Sequence, residues 1–526
     1  MPEKQICEVT GQTFEVGDVE LEILRSIGSN NPILLGERLP LPTVHPYEFL
    51  RRMYVFGSLR FLFKTKSAIS GKPVLTRYNP DIGHKVCTQE EFFDSVENVE
   101  VGRDIDFSRP FFEQWYEVFR ASILPPLNKI NCEDSEFVNG AINLKNCYLC
   151  FACLDSRDCL YCFSVTKCEE CVDLVKSSEC QYCYSSVSLV RCYGVQNSRD
   201  CKDCTDCFGC HDCLSCTHCF GCVGLLHQSY CVFNKQVSKE AYEKYVSEAD
   251  LTSFQYREVV LVKRAQFWTD KNRDPHTIIN CEDCTGAYLE RCQKCELCWD
   301  GNSCRNCAYL VRGVDAHYAS RGMAFRSSYL FETHGFDCQN TAYCYTVTGG
   351  VNDLYSAFLI GGCNDCFGCV ALNRKQYCIL NKQYSKAEYY DLAPKLIGHM
   401  KRTGEWGQWF PVKYAPHYYH ESSGHEFMEQ VPLEVVIPRG YRTGPSESIA
   451  TPQDGTYLNE VPDRLNEDAY AKLMGIPIRC GHTGKLFKLQ KRELEFYKIY
   501  NIPPPRIHWR ERMERALTQR KLIPGI

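Results

Sequence analysis

The sequence predicts a mainly β protein with two short parallel β-solenoids of 21-residue coils, which arise by internal duplication and are flanked by small α+β ribbon-like terminal domains. Three observations carry this prediction: cysteines concentrated in two segments, matching sequence in those segments, and a triplet spacing under a 21-residue repeat. The 526 residues include 36 cysteines and 24% charged residues, with a net charge of -5. This composition excludes a disordered tail protein, a collagen-like rod and a strongly basic nucleic-acid coat.

Residues 1–129 are predicted to form an N-terminal ribbon-like α+β domain. The segment CEVTGQTFEVGDVELEIL from Cys7 matches CGHTGKLFKLQKRELEFY from Cys480, and a histidine follows each copy, His45 and His508. SAISGKP at 67–73 resembles a third start with Ser67 in place of the cysteine. A zinc ribbon needs four ligands, and each copy offers one cysteine and one histidine. We therefore expect metal-free relatives of zinc ribbons.

Residues 130–246 are predicted to form the first cysteine-rich β-solenoid and its capping helix. All 20 cysteines from Cys132 to Cys231 fall on positions divisible by three, and segments 159–179, 180–200 and 201–221 align as a 21-residue repeat. Aligned in this register, the cysteines form columns: Cys159, Cys180, Cys201 and Cys222; Cys150, Cys171, Cys192 and Cys213; Cys162, Cys183 and Cys204. Abundant Tyr, Phe and Val, with Ser, Asn and Asp at the corners, favours short strands over helices.

Residues 279–402 are predicted to form the second cysteine-rich β-solenoid after a linker at 247–278. CFGCVGLLHQSYCVFNKQVSKEAY at 219–242 recurs as CFGCVALNRKQYCILNKQYSKAEY at 366–389, and INCED at 130–134 recurs at 279–283. After both copies a serine precedes a helical pattern, which predicts a helix that covers the open edge of the last coil. An irregular connecting region at 403–479 and a basic ribbon-like domain at 480–526 complete the chain.

The cysteine spacing also predicts two tetrahedral zinc sites. Both sets have the spacing C-x2-C-x17-C-x2-C: Cys159, Cys162, Cys180 and Cys183 in one, and Cys147, Cys150, Cys168 and Cys171 in the other. Any 21-residue repeat that contains C-x2-C produces the same spacing without metal. Leu and Val replace cysteine within some columns, which favours packed reduced thiols over bound metal. Iron–sulfur clusters are the third possibility.

Aromatic residues flank the cysteines, with Tyr161 aligned on Tyr182 and Phe163 on Tyr184. We expect an outward aromatic stripe covered by the other solenoid, a flanking domain or a second subunit. The alternative is a recognition face for an aromatic or nucleobase partner.

Charge and hydropathy bear on compartment and partners. Neither a signal-peptide run nor an uninterrupted apolar stretch of about 18 residues is present, so we expect no membrane association and a cytoplasmic protein with reduced thiols or metal-bound cysteines. The basic segments 51–66 and 480–526 make a nucleic acid a possible partner. A protein partner or self-association is the main expectation.

Five segments, spread over almost the whole chain, carry a resemblance to a known family. In chain order they are GRDIDFSRPFFEQW, NCYLCFACLDSRDCLYC, CFGCVALNRKQYCILNKQYSKAEYY, GEWGQWFP and TGKLFKLQKRELEFYKIYNIPPP. The chain resembles a family of uncharacterised cysteine-rich repeat proteins of bacterial genomes with zinc-ribbon-like terminal domains. The resemblance implies terminal zinc ribbons, but this sequence lacks the second cysteine of each knuckle. It implies no particular activity.

No residue pattern supports catalysis. The sequence contains no phosphate loop, dinucleotide glycine motif or G-x-S-x-G elbow, and the spacing of His417, His420 and His425 is not that of H-E-x-x-H. We therefore predict a non-enzymatic intracellular scaffold with cysteine-lined solenoids, which either pack reduced thiols or hold structural zinc. The alternatives are an iron–sulfur or dithiol redox protein and a nucleic-acid-binding protein that uses its basic ends.

Overall fold

A computed structural model describes most of the chain: residues 2–34, 36, 38–177, 180, 183–186, 207–211, 213, 215–267, 278–279, 281–287, 289–290, 298–299, 346–347, 350–351, 353–359, 362–428, 430–445 and 457–519. Several sequence predictions lie outside the described residues, including the columns at Cys192, Cys201 and Cys204 and most of 279–345. Of the described residues, 32% are helical and 19% are strand.

The helices range from one turn to five. They are α1 (Asp18–Asn30), α2 (Pro46–Tyr54), α3 (Gln89–Ser95), α4 (Phe111–Ala121), α5 (Lys239–Glu248), α6 (Phe254–Ala265), α7 (Lys386–Thr403), α8 (Ser423–Phe427), α9 (Leu433–Val436), α10 (Glu467–Leu473), α11 (Lys491–Ile499) and α12 (Trp509–Gln519).

The strands are short and form sheets of two to four strands. They are β1 (Glu3–Ile6), β2 (Thr13–Val16), β3 (Phe63–Lys66), β4 (Pro73–Thr76), β5 (Lys85–Val86), β6 (Ile123–Leu124), β7 (Lys129–Ile130), β8 (Ala141–Ile142), β9 (Thr217–Phe220), β10 (Ser229–Val232), β11 (Lys235–Gln236), β12 (Ile278–Ile279), β13 (Gly286–Ala287), β14 (Leu289–Glu290), β15 (Cys298–Trp299), β16 (Thr346–Val347), β17 (Gly350–Val351), β18 (Ala357–Leu359), β19 (Cys363–Phe367), β20 (Gln376–Ile379), β21 (Lys382–Gln383), β22 (Ile478–Arg479) and β23 (Leu486–Phe487).

In the first cysteine-rich segment, the backbone pairs in parallel with itself at a spacing of 12 residues. Glu133 pairs with Lys145, Lys145 with Arg157 and Arg157 with Glu169. Every third residue has a positive φ, for example 53° at Asn143 and 55° at Asn146, so the chain turns a corner after each three-residue side. Four sides complete one turn. We call the described residues 128–186 and 207–236 the first stack, and residues 353–383 the second stack.

The prediction of a mainly β protein made of parallel β-solenoids with 21-residue coils is wrong. Helix exceeds strand in the described residues, and Cys159 lies in the register of Cys171, 12 residues on, rather than Cys180. The physical reason is that three residues per side place every third side chain inside. A sequence repeat of 21 is a multiple of three, so it preserves the inward cysteines without being the length of a turn.

The ends of the two stacks repeat the same structure, as the duplication predicts. Strands β9, β10 and β11 correspond to β19, β20 and β21, and helices α5 and α7 follow them at the same offset of 147 residues. Ser238 and Ser385 cap these helices by accepting hydrogen bonds from the backbone N–H of Ala241 and Glu388. The capping helices predicted after both copies are therefore present.

Three ribbon hairpins share one turn geometry. In β1–β2, β3–β4 and β22–β23, the residue at the turn is Cys7, Ser67 or Cys480, and its carbonyl accepts from a glycine N–H at 2.8 to 3.0 Å. The glycines Gly11, Gly71 and Gly484 have φ values of 72°, 71° and 70°, which a side chain would disfavour. The three starts noted in the sequence are thus structural copies.

The chain divides into two units. The first comprises residues 1–127, 276–444 and 523–526, and the second comprises 128–275 and 445–522. The first unit contains the N-terminal ribbons and the second stack. The second unit contains the first stack and the C-terminal ribbon. Among the described residues, no helix is long and apolar enough to cross a membrane.

Candidate functional site

Several inward thiols of the first stack lie near two backbone carbonyls. The Sγ of Cys159 lies 3.2 Å from the carbonyl oxygen of Arg157 and 3.6 Å from that of Cys168. Cys150 and Cys171 repeat the arrangement with sulfur-to-oxygen distances of 3.1 to 3.7 Å. Each of these S–H groups can therefore donate a hydrogen bond to a carbonyl oxygen on its own side of the turn or to one on the next turn. The buried thiol, a weak donor, thus has an acceptor.

The sulfurs also contact one another in a continuous network, because three residues advance one side and 12 advance one turn. Hydrogen bonds link Cys159 to Cys171 and Cys150 to Cys153, so the network runs on between neighbouring sets. Within it, three sets of four cysteines share the spacing C-x2-C-x8-C-x2-C. The sets are Cys147, Cys150, Cys159 and Cys162; Cys168, Cys171, Cys180 and Cys183; and Cys207, Cys210, Cys219 and Cys222.

The structure therefore groups the eight predicted zinc ligands differently from the sequence prediction. Cys147 and Cys150 lie against Cys159 and Cys162, and Cys168 lies against Cys180. The predicted sets joined residues 21 apart, which the 12-residue turn separates. Within the part of the chain that the structure describes, no group of three or more His, Cys, Asp or Glu side chains has the arrangement of a metal site.

Contact between thiols shifts their pKa values in opposite directions. Hydrogen bonds from Cys147, Cys162 and Cys171 lower the pKa of Cys159, whereas burial raises the pKa of Cys150. Hydrogen bonds from Cys210 and Cys219 lower the pKa of Cys222 to about 5, and those from Cys366 and Cys369 lower the pKa of Cys378 to about 4. Thiolate character is thus favoured at one sulfur within a group of neutral thiols.

Cysteine shares the inward positions with other small or apolar residues. Val165 and Leu174 fill two of them, and Ser156 fills another. The Ser156 hydroxyl donates to the Leu154 carbonyl at 2.7 Å and accepts from the Cys168 N–H at 3.1 Å. The described cysteines are free of disulfides. The interior of the stack therefore accepts small or apolar side chains that pack, and serine and cysteine there also donate a hydrogen bond.

A buried cluster joins the first stack to the C-terminal ribbon within the second unit. We call Asp173, Glu493, Arg512, Tyr161 and Tyr497 the Arg512 cluster. Arg512 lies 3.0 Å from an oxygen of Asp173 and 3.0 Å from one of Glu493, and both tyrosine hydroxyls donate to Glu493 at 2.8 Å. Glu493 is fully buried and the Arg512 side chain is 9% exposed. The cluster anchors α11 and α12 on the stack.

The sequence analysis missed this cluster, although one signal for Glu493 was present. The ELE sequence shared by the terminal copies places Glu20 and Glu493 at equivalent positions, and both are buried. A glutamate that is repeated within an apolar helix pattern indicates a buried partner. Asp173 and Arg512 carry no comparable signal, because only the 12-residue turn brings Asp173 to the same face as Tyr161.

The C-terminal ribbon also covers the aromatic stripe on the first stack. The Trp509 ring stacks on Phe151 and on Tyr161 with ring centres 6.2 Å apart in both cases, and Tyr184 contacts Tyr497 edge-on at 5.5 Å. Tyr161 is 3% exposed. The flanking domain is therefore the cover, and these aromatic rings are not available as a recognition face.

Burial raises the pKa of Asp173 to about 7, and the Arg512 charge opposes this shift. Its ordinary value is 3.8, so between pH 4 and 7 the unfolded chain loses a proton that the folded chain keeps. Stability from this group is thus lost as the pH rises through that window. Asp173→Asn should remove this pH dependence of stability. The free energy of unfolding of the variant, relative to the wild type, should therefore be about 3 kcal/mol higher at pH 7.5 than at pH 4.

Urea unfolding of both proteins at several pH values measures this difference. Asp158→Asn is the matched control, because Asp158 occupies another positive-φ corner but its side chain is 38% exposed. Asparagine tolerates that backbone conformation at both positions. A pH-independent difference between the wild type and Asp173→Asn would contradict the prediction.

Within the described residues of the two basic segments, several basic side chains pair with acids. Arg51 lies 2.8 Å from Glu48, and Arg60 lies 2.9 Å from Glu426, with all four side chains buried. In the C-terminal segment, Arg512 is in its cluster and Lys498 pairs with Glu467. These contacts leave less positive charge for a nucleic-acid backbone than the sequence count indicates.

Cys7 and Cys480 occupy equivalent sites in their ribbons. Burial opposes ionisation, but hydrogen bonds from Thr10 and the His45 backbone outweigh it and lower the pKa of Cys7; Thr483 and the His508 backbone do the same at Cys480. Each histidine caps the next helix, accepting from Tyr47 or Arg510 at its Nδ1. The Nδ1 atom of each histidine thus already accepts a backbone hydrogen bond at the start of a helix.

Scans of protein-family models, curated proteins and solved structures return no match for this chain.

Proposed function

We propose that this protein is a non-enzymatic structural and binding scaffold whose two cysteine-rich segments are packed with reduced thiols. The supporting observation is that cysteine interchanges with valine and leucine at buried inward positions, and with Ser156, whose hydroxyl donates to a backbone carbonyl as the thiols do. A residue required for chemistry at each position would not tolerate this exchange. A reducing compartment, the cytoplasm, is part of the proposal, because thiols in contact would otherwise cross-link.

The arrangement of the C-terminal ribbon supports the scaffold role. Its two helices are fixed on the first stack by the Arg512 cluster and by Trp509 stacking, so the stack acts as a rigid base for a flanking domain. We infer that the flanking domains carry the partner surface, and that the partner is a protein or a second copy of the chain.

Thiol counting and elemental analysis of protein purified anaerobically test the proposal together. We expect 36 titratable thiols in denaturant and less than about a tenth of an equivalent of zinc or iron. If the analysis finds one or more equivalents of zinc, the cysteines bind zinc and are not packed as reduced thiols, and the scaffold proposal must be restated in that form. Stoichiometric iron with visible absorption would overturn the scaffold in favour of the iron–sulfur alternative.

The dithiol alternative has one specific observation in its favour, the lowered pKa values of Cys222 and Cys378. Both side chains are nearly inaccessible, with Cys222 and Cys378 at 0% exposure. Reaction with a thiol reagent under native conditions separates the two functions. The scaffold predicts slow modification of these cysteines, and rapid modification with reversible disulfide formation would support the redox role.

A further inference from the structure

In the part of the first unit that the structure describes, Arg77, Arg120 and Arg442 form no ion pair with an acidic side chain. Arg77 is 1% exposed, and its polar contact is a hydrogen bond of 2.9 Å from Nη2 to the Tyr78 hydroxyl. Its guanidinium lies between the rings of Tyr78 and Phe358, 5.0 and 4.8 Å from their centres. In contrast, the buried Arg51 and Arg60 of the same unit pair with glutamates. A buried cation normally requires such a partner.

Arg120 lies on α4, and Arg442 contacts Tyr116 on the same helix. Arg442 Nη2 donates to the Tyr116 hydroxyl at 2.8 Å and to the Lys413 carbonyl at 3.2 Å, and Arg120 Nη1 donates to the Ile82 carbonyl at 2.6 Å. Tyr116 and Arg120 are four residues apart and share one helix face. Each guanidinium has five N–H donors, so both retain donors that carbonyl oxygens do not use.

His84 connects Arg120 and Arg442 to Tyr78. Its ring lies 5.6 Å from the Tyr78 ring and 5.3 Å from the Phe119 ring. Burial, followed by the charges of Arg120 and Arg442, lowers the pKa of His84 to about 3, so the imidazole is neutral at pH 7. The acid at Glu421 is engaged by Asn79 at 2.6 Å and by His420 at 3.7 Å. The positive charge at this place is therefore not balanced by the described acids.

We propose that Arg120 and Arg442 bind a phosphate group beside His84. The guanidinium fork matches two oxygens of a phosphate, and two half-buried forks suit a dianion better than a single carboxylate. Gly83 has no side chain to cover Arg120, since a Cβ there would lie 3.4 Å from Nη2. The ligand class is inorganic phosphate or a small molecule with a phosphate group. This inference is independent of the scaffold role.

Calorimetric titration of the full chain with inorganic phosphate in 0.15 M potassium chloride tests the proposal. We expect saturable binding that weakens at least about tenfold in Arg120→Met and in Arg442→Met, whereas Arg402→Met, an exposed arginine at the end of α7, binds as the wild type. Arg120→Lys keeps the charge but loses the fork, and it should weaken binding while the protein stays folded by circular dichroism.

Two results would overturn the proposal. One is an absence of saturable heat with both phosphate and sulfate at millimolar concentration. The other is equal weakening in Arg402→Met, which would indicate attraction by net charge alone. Because thiol and metal content are measured separately, failure of this site would leave the scaffold proposal unaffected.

Discussion

Replacing Arg512 with methionine is expected to lower the free energy of unfolding of the second unit by about 3 to 5 kcal/mol, as when one partner of a buried ion pair is removed. At pH 8, where Asp173 has lost its proton, the variant would leave the carboxylates of Asp173 and Glu493 buried without their cation. Both α11 and α12 should then detach from the first stack. Hydrogen exchange of residues 491–519, together with urea unfolding, measures the loss.

Arg515→Met is the matched control for that substitution. Arg515 lies on the same helix and pairs with Glu511, but its side chain is 48% exposed, so its loss should change stability by less than about 0.5 kcal/mol. Similar protection of 491–519 in Arg512→Met and Arg515→Met would show that the cluster does not anchor the ribbon.

Gly102→Ala is the second substitution with a large expected effect, because the added methyl group would meet backbone atoms. A Cβ at Gly102 would lie 2.4 Å from the Lys382 nitrogen and 2.6 Å from the Asn381 oxygen. The same contact region includes hydrogen bonds from Arg103 to the Leu380 carbonyl and from Asn381 to the Asn98 carbonyl. Separating the two segments should destabilise the first unit by about 3 kcal/mol or more.

Thermal and urea unfolding of Gly102→Ala test this expectation against Gly398→Ala. Gly398 lies within α7, where a Cβ would lie 3.7 Å from the end of the flexible Arg402 side chain. Alanine there should raise stability by about 0.5 to 1 kcal/mol through its higher helix propensity. A Gly102→Ala protein as stable as the wild type would mean that residues 98–103 do not pack closely on the second stack.

The candidate site could be predicted only in part from the sequence. Triplet spacing correctly places Cys147, Cys150 and their neighbours inside, because a side of three residues fixes the direction of every third side chain. The grouping of sulfurs requires the number of sides per turn. A triplet pattern is compatible with any multiple of three, so the sequence period of 21 led to the wrong partners for Cys159.

The sequence by itself determined the duplication, the repeated ribbon starts at Cys7, Ser67 and Cys480, and the capping helices after Ser238 and Ser385, because each depends on local order and local hydrogen bonds. Only the tertiary structure decided the 12-residue turn and the mixed fold class. It also decided the covering of the aromatic stripe and the burial of Arg512 against Asp173. These features depend on contacts between residues up to about 340 positions apart, which no local pattern specifies.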